Sequence, residues 1–598
     1  MKITVTLDNH ELVLKFPFNQ SINDRIKSVF GWRFDGNTKT WRVHVASVYD
    51  LINEFGALLD FATPFPEIEL AMTNLGPSFG TIDTTIVEDF NLPPYDYQII
   101  GGTAFLPVVK KALLADEVGL GKTVVSLVGL QYLYNRGLMQ KALVVCKASL
   151  KSQWLSEIYR FTDFEGIIID SHYKDRPEIY EAAKDPKVNI VIINYELLTF
   201  DSKRLKKNKE KGRDGIDDFE CIKEIADQCQ VIIADEVHKI KNPRTYAHKN
   251  LKKLNTEYKW GLTGTPIENK PEDLFYIMSW IDPQVFGRNP MPFKHRYYHY
   301  EYGHPVGVNV DMLEDLRRRI APYMLRRYKK DVDASFPKPT INYIYLDMDS
   351  LQKNVHELIR SDSFEMLESN VKIENKGSVL GNFILLQQVA NTPELLAFSE
   401  SKYGQEIYSK IVKNKKFSCP KIEWVFDFLT ERNSLNSEAK TLIFTRSDDM
   451  AIMIKENLLS EFKDEEVIIY KGGLSNKQRD ILVDHFNNTA KVMIATDAAS
   501  EGLNLQLADI EINIDLPYNP SRLTQRIGRI SRGGSQFNKV KIFNLVSKDS
   551  IDERILEIVY EKQDLFKAII DGNVVDMKMT RSLLKKLLKG GNLNETKN

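Results

Sequence analysis

Cysteine is scarce: Cys146, Cys221, Cys229 and Cys419 are the only four in 598 residues, at no metal-ligand spacing, and the ten histidines do not cluster with them. That argues against a zinc site and a disulfide framework, leaving reduced thiols in a cytosol as the expectation. No apolar run approaches the length of a membrane helix. The first residues, Met1 to Leu7, alternate apolar and polar like a strand, unlike the apolar core of a signal peptide. Excess charge is missing too: 81 Lys and Arg against 82 Asp and Glu leave a formal −1. A global pull on nucleic acid is therefore absent, although a cleft can concentrate positive charge locally. What remains is ordinary for a soluble, intracellular globular chain, with 43% hydrophobic and 27% charged residues and length for several cores.

Charge is uneven along the chain. Lys203 to Arg213 is strongly basic and reads as a solvated loop, while Glu54 to Asp89 carries acidic charges alone. Arg581 to Lys589 is a basic amphipathic run that would pack on a lobe or track nucleic acid.

Residues 1–61 read as a small α+β unit. Strand-like Lys2–Leu7 and Glu11–Phe16 flank a turn at Asp8-Asn9-His10, and a short helix follows over Ile22–Phe30. Trp32–Phe34 and Thr40–Val45 then flank Asp35-Gly36-Asn37, a hairpin signal, and a helix over Val48–Leu59 closes the unit. Proline at 64, 66 and 77 marks 62–91 as a linker. Apolar runs follow at Ala142–Val145, Ile190–Ile193, Val231–Ala234 and Trp260–Thr263. A second set comprises Thr441–Phe444, Val467–Tyr470, Val492–Ala495, Ile510–Ile514 and Val540–Leu545. Helical stretches alternate with them, the pattern of parallel sheets covered on both faces. The mainly helical Glu268–Glu431 separates the sets. The expected fold is α/β, with two doubly wound parallel-sheet lobes over 92–340 and 341–575, a helical insertion between them, and a basic tail at 576–598.

Chemistry-bearing residues sit at the ends of these runs. Leu113-Leu114-Ala115-Asp116-Glu117-Val118-Gly119-Leu120-Gly121-Lys122-Thr123 passes from a strand through a glycine-containing turn into a helix. That is the layout of a phosphate-binding loop, whose backbone N–H groups and helix N-terminus face phosphate. Gly119 and Gly121 form the turn, Lys122 reaches the terminal phosphates and Thr123 holds Mg²⁺. Asp116 stands where the strict pattern has its first glycine. Val231 to His238 is an apolar strand ending in paired acids: Asp235 for Mg²⁺, Glu236 to orient and activate the attacking water. Solvated acids are common at strand ends, but Asp-Glu-x-His followed by Lys239-Ile240-Lys241-Asn242 is more particular than that. His238 reads as a coupler to neighbouring motifs, not a metal ligand. In Gln525-Arg526-Ile527-Gly528-Arg529-Ile530-Ser531-Arg532, a spacing of three would put Arg529 and Arg532 on one helical face, where guanidiniums stabilise charge on a transferring phosphoryl group. Loop, acid pair and distant arginines together describe a two-lobed motor that uses ATP and Mg²⁺ on nucleic acid.

In this order the motifs resemble those of superfamily 2 helicase-like ATPases of the Swi/Snf-related group, over about residues 92–570. The resemblance implies RecA-like lobes and DNA-dependent ATPase activity. Pro94-Tyr95-Asp96-Tyr97-Gln98 is similar to the adenine-reading segment, with Gln98 the base contact. Leu143 to Leu150, with Gln153-Trp154, resembles a DNA-backbone motif and implies contacts from Lys147 and Ser149; Asn194-Tyr195-Glu196 follows in place. Leu262 to Asn269 resembles the segment linking hydrolysis to lobe movement and implies roles for Thr263, Gly264 and Thr265. Met324-Leu325-Arg326-Arg327-Tyr328-Lys329 is a further group marker. In the second lobe, Leu442-Ile443-Phe444-Thr445 and Tyr470-Lys471-Gly472-Gly473 resemble strand-contacting segments, implying Thr445, Lys471 and Gly472. Ala495 to Gln506 is similar to the motif facing both ATP and DNA, which implies Gly502 and Gln525 on the nucleotide and Thr496 and Asn504 on DNA. Asn544-Leu545-Val546 and Ser550 to Ile555 match the usual lobe ending. Departures are Lys147 in place of a proline, Gln387 in place of an arginine, and Gly534-Ser535 where Gly-Gln is frequent.

The N-terminal unit resembles the HARP domain of annealing helicases over Lys27 to Val45. That resemblance implies a grip on phosphates and exposed bases, with Arg33, Trp32 and Trp41 as candidates among Arg25, Lys27, Lys39 and Arg42; the alternative is that both tryptophans form the core of a very small domain, and the two readings are compatible. The expected activity is ATP-dependent DNA translocation on duplex or forked DNA, remodelling or reannealing junctions. Alternatives are a RapA-like motor that displaces RNA polymerase or another DNA-bound protein, and the motor part of a restriction or defence system. No membrane and no zinc are expected. Missing chromatin-reading modules point to the cytoplasm of a bacterial or phage-infected cell.

Overall fold

Alternating apolar residues at the N-terminus build the first sheet of the computed structural model, which describes residues 1–73, 76–77, 79–169, 176–199, 218–268, 270–302, 304–332, 336–369, 379–496, 505–532 and 535–571. The strands are β1 (Ile3–Asp8), β2 (Glu11–Lys15), β3 (Trp32–Asp35), β4 (Thr40–His44) and β5 (Leu59–Phe61), in the order β3-β4-β2-β1-β5. Pairing is antiparallel except between β1 and β5. Asp35 Oδ1 accepts the Asn37 N–H at 3.0 Å, which closes the β3–β4 turn. Ile3, Val5, Leu12, Leu14, Trp41, Val43, Leu51 and Phe55 form the core.

The stretch expected as a linker is structured. Helix Phe65–Thr73 places Ile68 and Met72 in that first core, and Ile86 and Phe90 are buried in the core of the larger sheet. Proline at 64 and 66 starts this helix, consistent with its tolerance in a first turn. The basic runs Lys203–Arg213 and Arg581–Lys589 lie outside the described residues.

The described residues divide into two compact units, 1–332 with 565–571 and 336–564. In the first, β6 (Lys111–Leu114), β7 (Ala142–Cys146), β8 (Gly166–Ile168), β9 (Ile190–Asn194), β10 (Val231–Asp235) and β11 (Tyr258–Leu262) form a parallel sheet. A hairpin of β12 (Tyr298–Glu301) and β13 (His304–Val308) follows, and β14 (Met324–Leu325) completes the order β14-β6-β11-β10-β7-β9-β8. Two hydrophobic cores, one on each face, account for the near-continuous apolar strand sequences.

The N-terminal sheet is docked on this unit through buried charge. Phe30 packs against Phe286 and Tyr297, with the Arg319 and Arg296 guanidiniums 4.7 and 5.4 Å from its ring. Arg296 Nη1 donates to Asp50 at 3.0 Å and its Nε to Asp315 at 2.8 Å; Arg319 Nε donates to Asp315 at 3.0 Å. These cations hold the Asp315 carboxyl below its usual range against the opposing effect of burial.

In the second unit, β15 (Lys338–Leu346), β16 (Thr441–Phe444), β17 (Val467–Tyr470), β18 (Val492–Ala495), β19 (Ile510–Asn513) and β20 (Lys539–Ser547) form another parallel sheet, ordered β15-β20-β19-β16-β18-β17. β15 lies inside the segment expected to be helical, and the expected boundary after residue 340 falls within it. Its register with β20 covers Lys338 to Leu346, but it is an edge strand with Pro339 and half-exposed residues, so no apolar run marks it.

Candidate functional site

In the first unit the C-terminal ends of β6 and β10 bring the expected nucleotide residues together. Helix Lys122–Asn135 starts directly on the loop, and its first turn has no acidic residue to compete for an anion. Gly121 has φ +72, a conformation that favours glycine, and a Cβ there would lie 2.6 Å from Gln98 Nε2, which would have to shift. Gln98 Nε2 donates to the Leu120 carbonyl at 3.2 Å, and its Oε1 accepts the Tyr95 N–H at 3.0 Å. The base-reading candidate is thus anchored to the loop. Lys122 is half-buried and donates to the Asp116 carbonyl at 2.9 Å; burial lowers its pKa.

Asp235 ends β10 with Oδ2 accepting from Trp154 Nε1 at 2.8 Å and Oδ1 from the Glu236 N–H at 2.8 Å. Tyr195 Oη donates to its carbonyl at 2.8 Å. Burial and the Glu236 charge push the Asp235 carboxyl up to about 6. Glu236 sits in the left-handed region at φ 49, a strained position for a side chain of its size. Burial acts to raise its pKa, but the His238 hydrogen bond and charge outweigh it and keep the carboxyl ionised. His238 Nδ1 is 3.2 Å from Glu236 Oε2 and 3.2 Å from Thr263 Oγ1. Thr263 Oγ1 also accepts the Thr265 N–H at 3.1 Å, so His238 joins the acid pair to the next motif. An all-oxygen donor set from Asp235 and Thr123 fits a hard divalent cation.

Several nucleic-acid candidates are engaged inward. Thr263 is fully buried and bonded as described, and Thr445 is fully buried, donating to Asp515 Oδ2 at 2.8 Å. These hydroxyls brace motifs; they are not open to a DNA strand. Lys147 is 8% exposed and Thr496 is 5% exposed, with the Thr496 N–H donating to the Tyr470 carbonyl at 2.9 Å. Gly264 is buried, Ser149 and Thr265 half-buried, and Lys471 and Gly472 exposed. Gly502 and Asn504 lie outside the described residues.

In the second unit, helix Pro520–Ile530 carries Gln525 and Arg529, both buried, with Arg529 Nε donating to the Gln525 carbonyl at 3.2 Å. Arg532 is not on that helix. Ser531 leaves helical geometry at φ −91, ψ 75 and donates to the Pro337 carbonyl at 2.9 Å, so a spacing of three does not give one helical face here. Arg526, which periodicity could not single out, is fully buried and donates to Asn513 Oδ1 at 2.9 Å and the Asp515 carbonyl at 3.0 Å. A cavity of about 670 Å³ at the ends of β16 and β19 is lined by Gln387, Gln388, Asn391, Arg446 and Asp515. Arg446 Nη1 donates to Gln387 Oε1 at 2.6 Å, so a guanidinium lies beside the position where the group carries its arginine.

Comparison with known proteins agrees with this geometry. The model of the SNF2-related domain matches residues 80–395, and that of the helicase conserved C-terminal domain matches 420–534. The chain belongs to the SNF2-related family. It is 27% identical over 474 residues to the uncharacterized ATP-dependent helicase YqhH of Bacillus subtilis, covering 77% of this chain and 76% of that one. It is 27% identical to the ISWI chromatin-remodeling complex ATPase ISW1 of Saccharomyces cerevisiae over 81% of this chain and 41% of that protein. The uncharacterized ATP-dependent helicase MG018 of Mycoplasma genitalium is 25% identical over 91% of this chain and 48% of its own length. The chain therefore spans less than half of ISW1 and of MG018. Among solved structures, the Sulfolobus solfataricus SWI2/SNF2 ATPase core in complex with dsDNA is similar, at 26% identity over 81% of this chain and 94% of that one, with a TM-score of 0.36. As a member of the SNF2-related family, the chain is an ATP hydrolase that acts on nucleic acid.

The N-terminal candidates lie before the SNF2-related match, and the structure separates them. Trp41 is core: it is 8% exposed and donates from Nε1 to Asn23 Oδ1 at 2.8 Å. Arg33 is held by Glu11, donating from Nε at 2.8 Å and Nη2 at 2.6 Å. Trp32, 37% exposed, and Phe34, 50% exposed, flank Trp41 at centroid distances of 5.3 and 5.1 Å. Phe34 was not among the candidates; its place two residues from Trp32 on one strand face was the available signal.

Proposed function

We propose that this chain is an ATP-dependent DNA translocase. ATP with Mg²⁺ binds the first unit, with Lys122 on the terminal phosphates, Gln98 on the base, and Thr123 and Asp235 holding the metal, which neutralises phosphate charge. Glu236 orients and deprotonates the attacking water. Arg529 and Arg532 reach the γ-phosphate from the second unit when the two close, and closing and reopening alternate the grip on a DNA backbone. Lys147, Ser149, Lys471 and Gly472 belong to the DNA-facing segments. One observation carries the reading: Asp235 and Glu236 lie half-buried side by side near Lys122, with Glu236 kept ionised by His238. A structural acid pair has no need of a strained, charged carboxylate beside a phosphate loop.

The HARP-like N-terminal unit directs the motor to forks or junctions, which it remodels by reannealing strands. Exposed Trp32 and Phe34 support this, since aromatic faces stack on unpaired bases. The setting is the cytoplasm of a bacterial or phage-infected cell. ATPase rates measured with duplex, single-stranded and forked DNA and with RNA, at stated salt, test the reading. Stimulation by DNA, strongest with forks, is expected; equal rates on all four and without polymer would remove it.

A further inference from the structure

We propose that Arg326 and Arg327 are positioning residues that tie the nucleotide pocket to the segment through which the chain leaves the first unit. The inference rests on 115–123 being the ATP site. Its starting point is Asp116, the residue that departs from the usual loop pattern. Asp116 lies two residues past the end of β6 and is fully buried. A carboxylate so placed must be paired to remain charged.

Its partner is Arg327. The Arg327 N–H donates to Asp116 Oδ1 at 3.1 Å, Nε donates to the same oxygen at 3.0 Å, and Nη2 pairs with Oδ2. Nη1 of the same guanidinium donates to the Tyr97 carbonyl, and the group lies 5.3 Å from the Tyr97 ring. Tyr97 Oη in turn donates to the Leu120 carbonyl at 3.0 Å, the oxygen that Gln98 Nε2 also reaches. One planar fork thus touches the root of the phosphate loop and the base-reading segment together. A lysine ammonium could not satisfy that geometry.

Arg326 serves the other side. Its Nη1 donates to the Ala115 carbonyl and, at 2.7 Å, to the Gly264 carbonyl, which joins the loop to the Thr263–Thr265 motif. The backbone reinforces both. β14 pairs with β6, and the pairing continues beyond the strands: Ala115 N–H donates to the Leu325 carbonyl at 2.8 Å and Glu117 N–H to the Arg327 carbonyl at 3.0 Å. Glu117 Oε2 accepts the Lys329 N–H at 2.8 Å. The main run of the first unit then ends at Val332. Loop, base reader and a third motif therefore converge on 326–329, immediately before the crossing to the second unit. A displacement of any of them on nucleotide binding passes into that segment through charged, two-point contacts.

An ion pair that only stabilises the fold would leave 326–332 indifferent to nucleotide. Hydrogen exchange of the full chain, with and without ATPγS and Mg²⁺, distinguishes the two. Exchange is expected to slow by tenfold or more at 115–123 and also at 326–332, which lies outside the phosphate loop. Slowing at 115–123 alone would overturn the inference; no slowing at 115–123 would remove the ATP-site reading beneath it. Arg327→Lys keeps the charge but not the fork. It should raise the KM for ATP three- to tenfold and abolish slowing at 326–332 while leaving that at 115–123. A retained response at 326–332 in a folded Arg327→Lys or Asp116→Asn protein would contradict the coupling, and the wild-type exchange decides the matter if neither variant folds.

Discussion

The two parallel sheets hold buried charge in different ways. At the end of β10, Asp235 and Glu236 lie side by side beside Lys122, with Glu236 on a strained backbone. In the second unit, Glu511, Asn513 and Asp515 on and after β19 turn toward one another and toward Arg526 and Thr445. Asn513 donates to Glu511 Oε1 at 2.9 Å and to Asn544 Oδ1 at 3.0 Å, and Arg526 of helix Pro520–Ile530 donates to Asn513 Oδ1 at 2.9 Å. The first arrangement keeps carboxylates beside a cation at the end of the sheet where the phosphate-loop sequence lies. The second fixes the helix that bears Arg529.

Substitutions can break that contrast. Glu236→Gln should still bind ATP but lose on the order of 10³-fold or more in hydrolysis, because the water loses its base; nucleotide binding and turnover measured on one preparation check both halves. In the docking network of the first unit, Asp315→Asn should destabilise that unit by about 3 kcal/mol, since buried Arg319 would lose the carboxylate its Nε donates to, while Arg296 keeps Asp50. Denaturant unfolding measures it.

In the second unit, burial pushes Glu511 up to about 7 from 4.5. The folded state therefore holds a proton that the unfolded state releases, and stability should fall as pH rises from about 4.5 to 7, by about 3 kcal/mol at most. Glu511→Gln should flatten that slope, with melting across pH as the readout. The smallest expected effect is at the N-terminal sheet. Trp32→Ala or Phe34→Ala should weaken binding to forked DNA by about 1–3 kcal/mol each, while Arg33→Ala should act through stability because Arg33 is already paired with Glu11. Fork titrations beside unfolding curves separate these.

Much of this was legible in the chain because both sheets are buried on two faces. Runs such as Val231-Ile232-Ile233-Ala234 and Thr441-Leu442-Ile443-Phe444 have no other use, and phosphate-loop chemistry requires Gly121, Lys122 and Thr123 in sequence. What could not be read depended on distant pairing. β15 lacks an apolar run and exists through its register with β20. Trp154 and Arg327 became part of the site only through partners 81 and 211 residues away. Residues 62–91 looked like a linker from their prolines, yet Ile68 and Ile86 are buried in two different cores. Periodicity also placed Arg532 on a helix that Ser531 ends. Trp41 was as consistent with a core as with a surface, and only packing resolved it.

The most direct measurement is a structure of the chain bound to DNA, Mg²⁺ and a γ-phosphate analogue of ATP. Arg529 and Arg532 should then lie within hydrogen-bonding distance, about 3 Å, of the analogue held by Lys122. Both guanidiniums remaining far from it in that closed, ligand-filled state would contradict the motor.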